Sequence, residues 1–271
     1  MFRTRVHNMN ISLDGYAAGE QVTFDAPIGG AERLFEWFDG RVIHGVDKAD
    51  APVTLDRALT SMWSQGIGAE IMGRRKFGPQ AGDWPDDGWR GWWGDEPPFQ
   101  TPVFVLSHYP HPAIDFPNGT SFRFVDGPPD EVLRLAQEAA GGRDVRIGGG
   151  PSTVRQFLQA GLIDFMHLVI VPVTLGRGVS LWEGSSGLEE RFTVESVTSP
   201  SGLTHQLWNK NDHALTRTAA APSAPDSPDL HTSAASGDIA PGHAELRLGA
   251  HLSGAQHAAG LLGAWYASCC R

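Results

Sequence analysis

Val145-Arg146-Ile147-Gly148-Gly149-Gly150-Pro151-Ser152-Thr153-Val154 sets the architecture of this chain. A short apolar run meets three consecutive glycines, and a helix begins at once. Adjacent glycines lose much backbone entropy on folding, so they mark a sharp turn or a close approach. They lie where the free N–H groups of a helix N-terminus point outward, a ready anion site. Pro151 suits the first helical position, where its missing N–H is not needed. Val154, Phe157, Leu158 and Leu162 follow at helical spacing, and Gly161 is a stop signal. The spacing is neither G-x-G-x-x-G nor G-x-x-x-x-G-K-[ST], so neither nucleotide fingerprint applies. On the glycines alone, a phosphate-bearing ligand and a merely tight strand–helix junction fit equally well.

Outward from the glycines, strand and helix patterns alternate. Residues 143–147 read as the strand before the turn, and residues 165–173 as a strand after its helix. Residues 6–13, 69–72, 103–106 and 121–125 read as further strands. Residues 31–38 and 56–63 read as short helices, the second with Leu55, Leu59, Met62 and Trp63 on one face. Asp130 is placed to cap a helix containing Val132, Leu133, Leu135 and Ala136. Residues 192–197 and 204–208 read as an antiparallel pair around Pro200-Ser201-Gly202. Strands separated by helices predict an α/β fold with a mostly parallel sheet covered on both faces and a C-terminal antiparallel hairpin. Ligands of such sheets bind at the carboxyl ends of the strands, and the glycine turn lies at one of them.

The chain has 271 residues and a formal net charge of −10. That length allows one large domain or two small ones with a sizeable core. The acidic balance argues against a general nucleic-acid binder, which needs a basic face. The only cysteines are Cys269 and Cys270, so neither a disulfide framework nor a cysteine-based zinc site is expected. The first thirteen residues alternate polar and apolar and lack the apolar core of a signal peptide. The longest apolar stretch, around residues 168–175, contains Pro172 and Thr174 and is too short to span a bilayer. These features predict a cytoplasmic protein with no membrane partner and no bound metal. Composition changes near Asp212. Residues 214–244 are rich in Ala, Pro, Ser, Thr and Asp, which bury too little surface to offset the entropy of ordering. The sequence therefore divides into a folded domain over residues 1–211 and a low-complexity tail over 212–271, expected to be disordered apart from a weak amphipathic helix at 246–265.

Four further segments carry candidate chemistry. In Ile71-Met72-Gly73-Arg74-Arg75-Lys76-Phe77 a buried strand ends in glycine and three cations follow, a set suited to a phosphate or to a solvated basic turn. Ser107-His108 ends another strand and can meet a phosphate, a ribose or an adenosine. Asp14 follows the first strand, where it can anchor a polar substrate, assist a proton transfer or simply form a turn with Gly15. Trp84, Trp89, Trp92 and Trp93 crowd one glycine- and proline-punctuated loop, read as a rigid flap or a subunit contact before substrate stacking.

Together these segments resemble the dihydrofolate-reductase-like superfamily and, within it, the C-terminal reductase domain of the riboflavin-biosynthesis deaminase–reductase. The resemblance rests on Ser12-Leu13-Asp14-Gly15-Tyr16, Met72 to Phe77, Trp92-Trp93-Gly94, Pro102 to His108 and Ile147 to Gly150. Leu162-Ile163-Asp164-Phe165 and Pro172 to Gly178 extend it, so that it covers about Phe2 to Lys210. The order and spacing of these motifs are specific where no single one is.

The resemblance implies a three-layer α/β/α, dihydrofolate reductase-like fold and NADPH as cofactor. It implies that Gly73, Arg74 and Arg75 meet the adenosine 2′-phosphate side, while Ser107 and His108 line the adenosine pocket. Gly148, Gly149 and Gly150, with Ser152 and Thr153, would hold the pyrophosphate. Asp14 would lie at the substrate end, near the nicotinamide. The family commonly has threonine where this chain has Lys76, which can still meet a phosphate as a point charge. The cysteines of the zinc deaminase signature are missing, so a stand-alone reductase domain is expected. The implied activity is hydride transfer to a C=N or C=O carbon of a small heterocyclic or ribosyl-bearing substrate, as with 5-amino-6-(5-phosphoribosylamino)uracil. A dihydrofolate or pterin reductase and an NADPH-binding sensor without turnover are the alternatives. Members of such families are often homodimers, the state expected here.

Overall fold

Period-two alternation sorts the side chains of the central strands onto two faces, and each face builds its own layer. The structure is a computed structural model that describes residues 2–37, 53–85 and 88–211. In chain order its elements are β1 (Thr4–Ser12), β2 (Tyr16–Ala18), α1 (Leu55–Thr60), β3 (Ile67–Gly73), α2 (Arg74–Phe77), β4 (Pro102–Leu106), β5 (Ile114–Asp115) and β6 (Ser121–Val125). There follow α3 (Pro129–Ala140), β7 (Asp144–Gly149), α4 (Pro151–Gln159), β8 (Phe165–Val171), β9 (Val179–Ser180), β10 (Phe192–Thr198) and β11 (Thr204–Lys210). Among the described residues, nine strands form one sheet in the order β10-β11-β8-β1-β7-β3-β4-β6-β5, and β2 pairs with β9 apart from it. The strands from β8 to β6 run parallel. The β10–β11 hairpin and β5 add antiparallel edges. This is the mostly parallel sheet with a C-terminal hairpin that the alternation predicts.

On one face, Val6, Ile11, Ala69, Ile71, Val145, Ile147, Met166 and Leu168 pack against Val132, Leu133 and Ala136 of α3 and Val154, Phe157 and Leu158 of α4. Pro151 opens α4 at its first position. The opposite face holds two smaller apolar clusters, one around Phe77 and Phe122 and one around Leu34 and Val169. Between them the same face carries buried polar residues, His7, Glu70, Arg146 and His167. Helix α1 covers that region, with the Leu59 carbonyl against the His7 ring.

Several local expectations are corrected. Asp130 does not cap α3: the cap position is Pro128, Pro129 starts the helix, and Asp130 sits in the first turn, where its charge suits the helix dipole. Residues 31–38 hold only a three-residue 3₁₀ turn, Glu32–Leu34, among those described, and Phe38 lies outside them. Gly29 and Gly30, both at positive φ, deliver the chain straight into that turn, which has no side-chain cap. The helix expected over 56–63 stops at Thr60 and tightens into a 3₁₀ turn, Ser61–Ser64. That tightening buries Trp63 but leaves Leu55 and Met62 exposed, so the expected apolar face is not a buried one. Strand β8 ends before Pro172, which has no N–H for the ladder. The tail and its possible helix lie outside the described residues. No described helix is long and apolar enough to cross a membrane.

Candidate functional site

Three of the parallel strands, β3, β4 and β7, end at one cavity of about 780 Å³. Every residue expected from the sequence to touch a cofactor lines it: Gly73 to Lys76 after β3, Ser107 and His108 after β4, and Gly148 to Gly150, Ser152 and Thr153 between β7 and α4. Asp14 is not among the lining residues.

The glycine turn works through close approach. Gly148 continues β7, and a Cβ there would lie 2.1 Å from Glu70 Oε1. Gly149 has φ +113°, a conformation that L side chains rarely adopt. A Cβ on Gly73 would lie 2.3 Å from Thr153 Oγ1, so the ends of β3 and α4 touch. Gly150 caps α4 without a side chain, leaving the first-turn N–H groups without a side-chain partner. Such a helix end attracts an anion.

Arg74 is a cationic side chain of the cavity lining. Its guanidinium carbon lies 3.7 Å from the Trp84 ring centroid and 5.1 Å from that of Tyr109. All three guanidinium nitrogens are buried without a hydrogen-bond partner among the described residues. A buried donor without a partner is costly, and a bound phosphate would relieve it. Arg75 is exposed at the cavity edge. Lys76 turns inward, and its Nζ donates to the Gly148 carbonyl. Burial lowers its pKa to about 8, against a raising effect of Glu70. Lys76 thus ties α2 to the glycine turn.

Ser107 and His108 form the rim. Ser107 Oγ donates to the Tyr109 carbonyl at 2.9 Å and accepts from the Tyr109 N–H at 3.1 Å. The His108 ring, 89% exposed, pairs with Asp126 at 2.7 Å. The tryptophan loop closes another side. Trp93 packs on Phe99 and Phe122 with centroids 4.8 and 5.9 Å away, and Trp89 Nε1 donates to the Phe77 carbonyl at 3.2 Å. Trp92 and Trp93 line the cavity, and Trp93 does so while packed on Phe99 and Phe122.

Asp14 has other partners. Its carboxylate accepts from Ser12 Oγ at 2.5 Å, from the Gly176 N–H at 2.7 Å and from the Leu175 N–H at 3.1 Å. The Ser12 bond first, then these amides, hold its pKa down to about 2. The arrangement fastens the β1 turn to the segment after β8.

Sequence reasoning missed the floor of the cavity. Arg146 Nη2 donates to Glu70 Oε1 at 2.8 Å, and the Arg146 guanidinium lies 4.3 Å from the Trp63 centroid. His7 also lines the cavity. The available signal was a charged or imidazole side chain at single positions inside otherwise apolar strands, as in Ala69-Glu70-Ile71 and Val145-Arg146-Ile147. No described group of three His, Cys, Asp or Glu residues could hold a metal.

Fold and site define the class: a three-layer α/β/α protein with a cavity across the carboxyl ends of adjacent parallel strands. The chain belongs to the RibD C-terminal domain family, whose sequence profile matches residues 4–202. It is similar to a solved protein of Shewanella sp. PV-4 named as a candidate riboflavin biosynthesis protein, at 23% identity and TM-score 0.47, over 78% of this chain and 99% of that one. It is also similar to a pyrimidine reductase-like protein of Corynebacterium diphtheriae, at 16% identity and TM-score 0.45, over 77% and 92% of the two chains. A third is dihydrofolate reductase of Enterococcus faecalis complexed with NADP(H), at 14% identity and TM-score 0.42, over 78% and 99%. No curated protein matches the chain.

Proposed function

We propose that this protein is an NADPH-dependent reductase acting on a C=N or C=O carbon of a small heterocyclic or ribosyl-bearing substrate, of the 5-amino-6-(5-phosphoribosylamino)uracil kind. The observation that carries the reading is Arg74. Its guanidinium, buried without hydrogen-bond partners among the described residues and stacked on Trp84, belongs to the same cavity as the glycine turn. A ligand with two separated phosphate groups suits both.

Arg74 and Arg75 would take the 2′-phosphate side, Ser107 and His108 the adenosine, and the Gly148–Gly150 turn with Ser152 and Thr153 the pyrophosphate. When bound, the dihydronicotinamide supplies a hydride. The protein's own contribution is to hold the partners in register, exclude water and set the field around the reacting carbon. The Trp92–Trp93 wall excludes water, and Arg146 and Lys76, the former paired with Glu70 behind the lining, set the charge of the floor. Lys76 acts by fixing the glycine turn. Asp14, which does not line the cavity, is assigned no step here.

The test is a thermal-shift comparison of NADPH, NADH and no ligand, followed by NADPH oxidation with the ribosylaminopyrimidinedione and with dihydrofolate. Selective stabilisation by NADPH and turnover of the pyrimidine are expected. Absence of any nucleotide stabilisation overturns the cofactor assignment; stabilisation without turnover of any carbonyl or imine overturns the enzyme assignment.

A further inference from the structure

Strand β1 carries one residue too many for its neighbour β8. His7 stands opposite His167 and Met9 opposite Leu168, so Asn8 between them has no place in the ladder. The extra residue also shifts the alternation. Val6 packs in the core beside α3 and α4, and after Asn8 the residues in that core are Met9 and Ile11. His7 and Asn10 turn to the other face, against the Leu59 and Leu34 carbonyls at 2.8 and 3.1 Å. Asn8 is therefore a β-bulge, a feature that bends its strand and re-aims a side chain.

The sheet opens at the same level. The register between β1 and β7 ends at Arg5 and Arg146. Yet β1 stays on β8 as far as Ser12 and Val171, and β7 stays on β3 as far as Gly149 and Met72. Beyond Arg5 these two strands border an opening. Asn8, Met9 and Asn10 line the cavity from one side of it, and Gly148, Gly149 and Gly150 from the other. A Cβ on Gly149 would lie 3.6 Å from Met9 Cε, so one methionine side chain spans the gap.

The two sides differ in charge. Arg74, Arg75 and Lys76 line the cavity from α2, and Arg146 lines it from β7. Among the described residues, the lining contributed by residues 7–35 holds no Lys, Arg, Asp or Glu. Its polar side chains are His7, Asn8 and Asn10. His7 and Asn10 are buried and held by the two carbonyls named above. Asn8 is half-buried, and neither atom of its carboxamide has a hydrogen-bond partner among the described residues. Unlike Asn10 Oδ1, which is buried, both atoms keep accessible surface.

We propose that Asn8 reads the substrate: its carboxamide pairs with the lactam edge, an N–H beside a C=O, of a neutral planar heterocycle seated in the opening between β1 and β7. The assignment rests on the reductase reading, in which the phosphates of the cofactor take the basic side and leave the neutral one to the substrate. Either flip of the amide presents one acceptor beside one donor. Asn8 Oδ1 accepts from the ring N–H while Nδ2 donates to the ring carbonyl, two hydrogen bonds in one plane. Met9, Ala17, Val22, Ile28 and Phe35 supply apolar lining for the faces of the ring. A ring edge with two donors, as in a protonated 2,4-diaminopyrimidine, sets one donor against Nδ2 and is rejected.

Calorimetry on the NADP+ complex tests this without turnover, with the ribosylaminopyrimidinedione and a 2,4-diaminopyrimidine as probes. The wild type is expected to prefer the pyrimidinedione. Asn8→Ala should weaken that ligand about ten-fold or more and leave the NADP+ Kd unchanged. Asn8→Asp has the same shape but only accepts, so it should reverse the preference and take the diaminopyrimidine as a bidentate ion pair. In turnover, Asn8→Ala should raise KM more than it lowers kcat. Wild-type affinity for the pyrimidinedione in Asn8→Ala, or an unchanged preference in Asn8→Asp, overturns the proposal. So does a loss of NADP+ affinity in Asn8→Ala, which would place the carboxamide on the cofactor. If no carbonyl or imine consumes NADPH, the reductase reading fails by itself, and the same two ligands on the cofactor-free protein still decide whether Asn8 reads the ring.

Discussion

Glu70 and Arg146, on adjacent strands β3 and β7, form an ion pair 2.8 Å long with side chains only 2% and 7% exposed. Desolvation offsets much of the attraction in such a pair, so it adds little stability over apolar residues of similar volume. Breaking it is another matter. Glu70→Gln leaves the Arg146 charge buried and unbalanced, and a loss of about 3–5 kcal/mol is expected from urea unfolding. Adding Arg146→Met to Glu70→Leu should recover most of that loss. Additive losses in the double variant would contradict this account of the floor.

The same pair explains why β7 ends in glycine. An alanine at Gly148 would place Cβ 2.1 Å from Glu70 Oε1 and 3.2 Å from Arg146 Nη2. Glu70 is held by its partner and cannot simply swing away. Gly148→Ala should lower stability by about 1–3 kcal/mol and weaken NADPH binding together. Gly68→Ala is the control: its Cβ would meet the Ala140 carbonyl at 2.3 Å, away from the cavity. It should destabilise similarly and leave the NADPH Kd of the folded protein unchanged. Equal effects of both variants on that Kd would show that Gly148 has no special place in the site.

These two glycines mark how much of the molecule is legible in the sequence. Period-two and 3.6-residue patterns locate β1, β3, β4, β6, β7, β8 and the final hairpin, because burial of one face writes itself into local spacing. The triple glycine and the basic turn after Gly73 are likewise local, and both line the cavity. The floor is not local. Glu70 and Arg146 are 76 positions apart, and His7 and His167 are 160 apart. Each looks like a lone polar interruption of an apolar strand until the sheet order makes them neighbours. Short pieces such as β2, β5 and β9 carry too few residues for any period to show. Asp14 is ambiguous for the converse reason: an Asp-Gly after a strand reads the same whether its carboxylate serves a ligand or only the backbone amides it meets here.

Arg74 supports a sharper prediction about nucleotide choice. Arg74→Ala should weaken NADPH much more than NADH, measured by calorimetry, because a 2′-phosphate loses its charged partner and NADH has none there. Trp84→Ala removes the ring under the guanidinium and should reduce NADPH affinity by a smaller amount, about 0.5–2 kcal/mol. Equal losses for both nucleotides in Arg74→Ala would place the guanidinium elsewhere on the cofactor.

The buried histidines predict how stability depends on pH. Desolvation above all lowers His7 from 6.5 to about 4 and His167 from 6.5 to about 2. Below 6.5 the unfolded chain binds protons at these positions that the folded chain refuses. Stability is therefore complete above 6.5 and falls as the pH drops, by up to about 1.4 kcal/mol per pH unit for each histidine. The His7 contribution is exhausted near 4, while that of His167 continues to lower pH. Urea midpoints between about pH 7.5 and 4.5 should show this slope, and His167→Leu should make it shallower by about one proton. A midpoint that stays level across this range would mean that these rings are not held neutral.

Asp14 provides the test that separates a structural carboxylate from a substrate-binding one. Its pKa is held from 3.8 down to about 2, first by the Ser12 hydroxyl and then by the Gly176 and Leu175 amides. A depressed carboxylate contributes stability above its unfolded pKa and loses it as the pH falls toward the folded one. Asp14→Ala should therefore lower the melting temperature at neutral pH, and the difference from wild type should shrink as the pH falls below 3.8. Because Asp14 does not line the cavity, the NADPH Kd should be unchanged. Any fall in turnover should follow the loss of folded protein. An Asp14→Asn variant that melts like wild type and binds NADPH normally, yet has lost turnover, would return this carboxylate to the substrate end of the site.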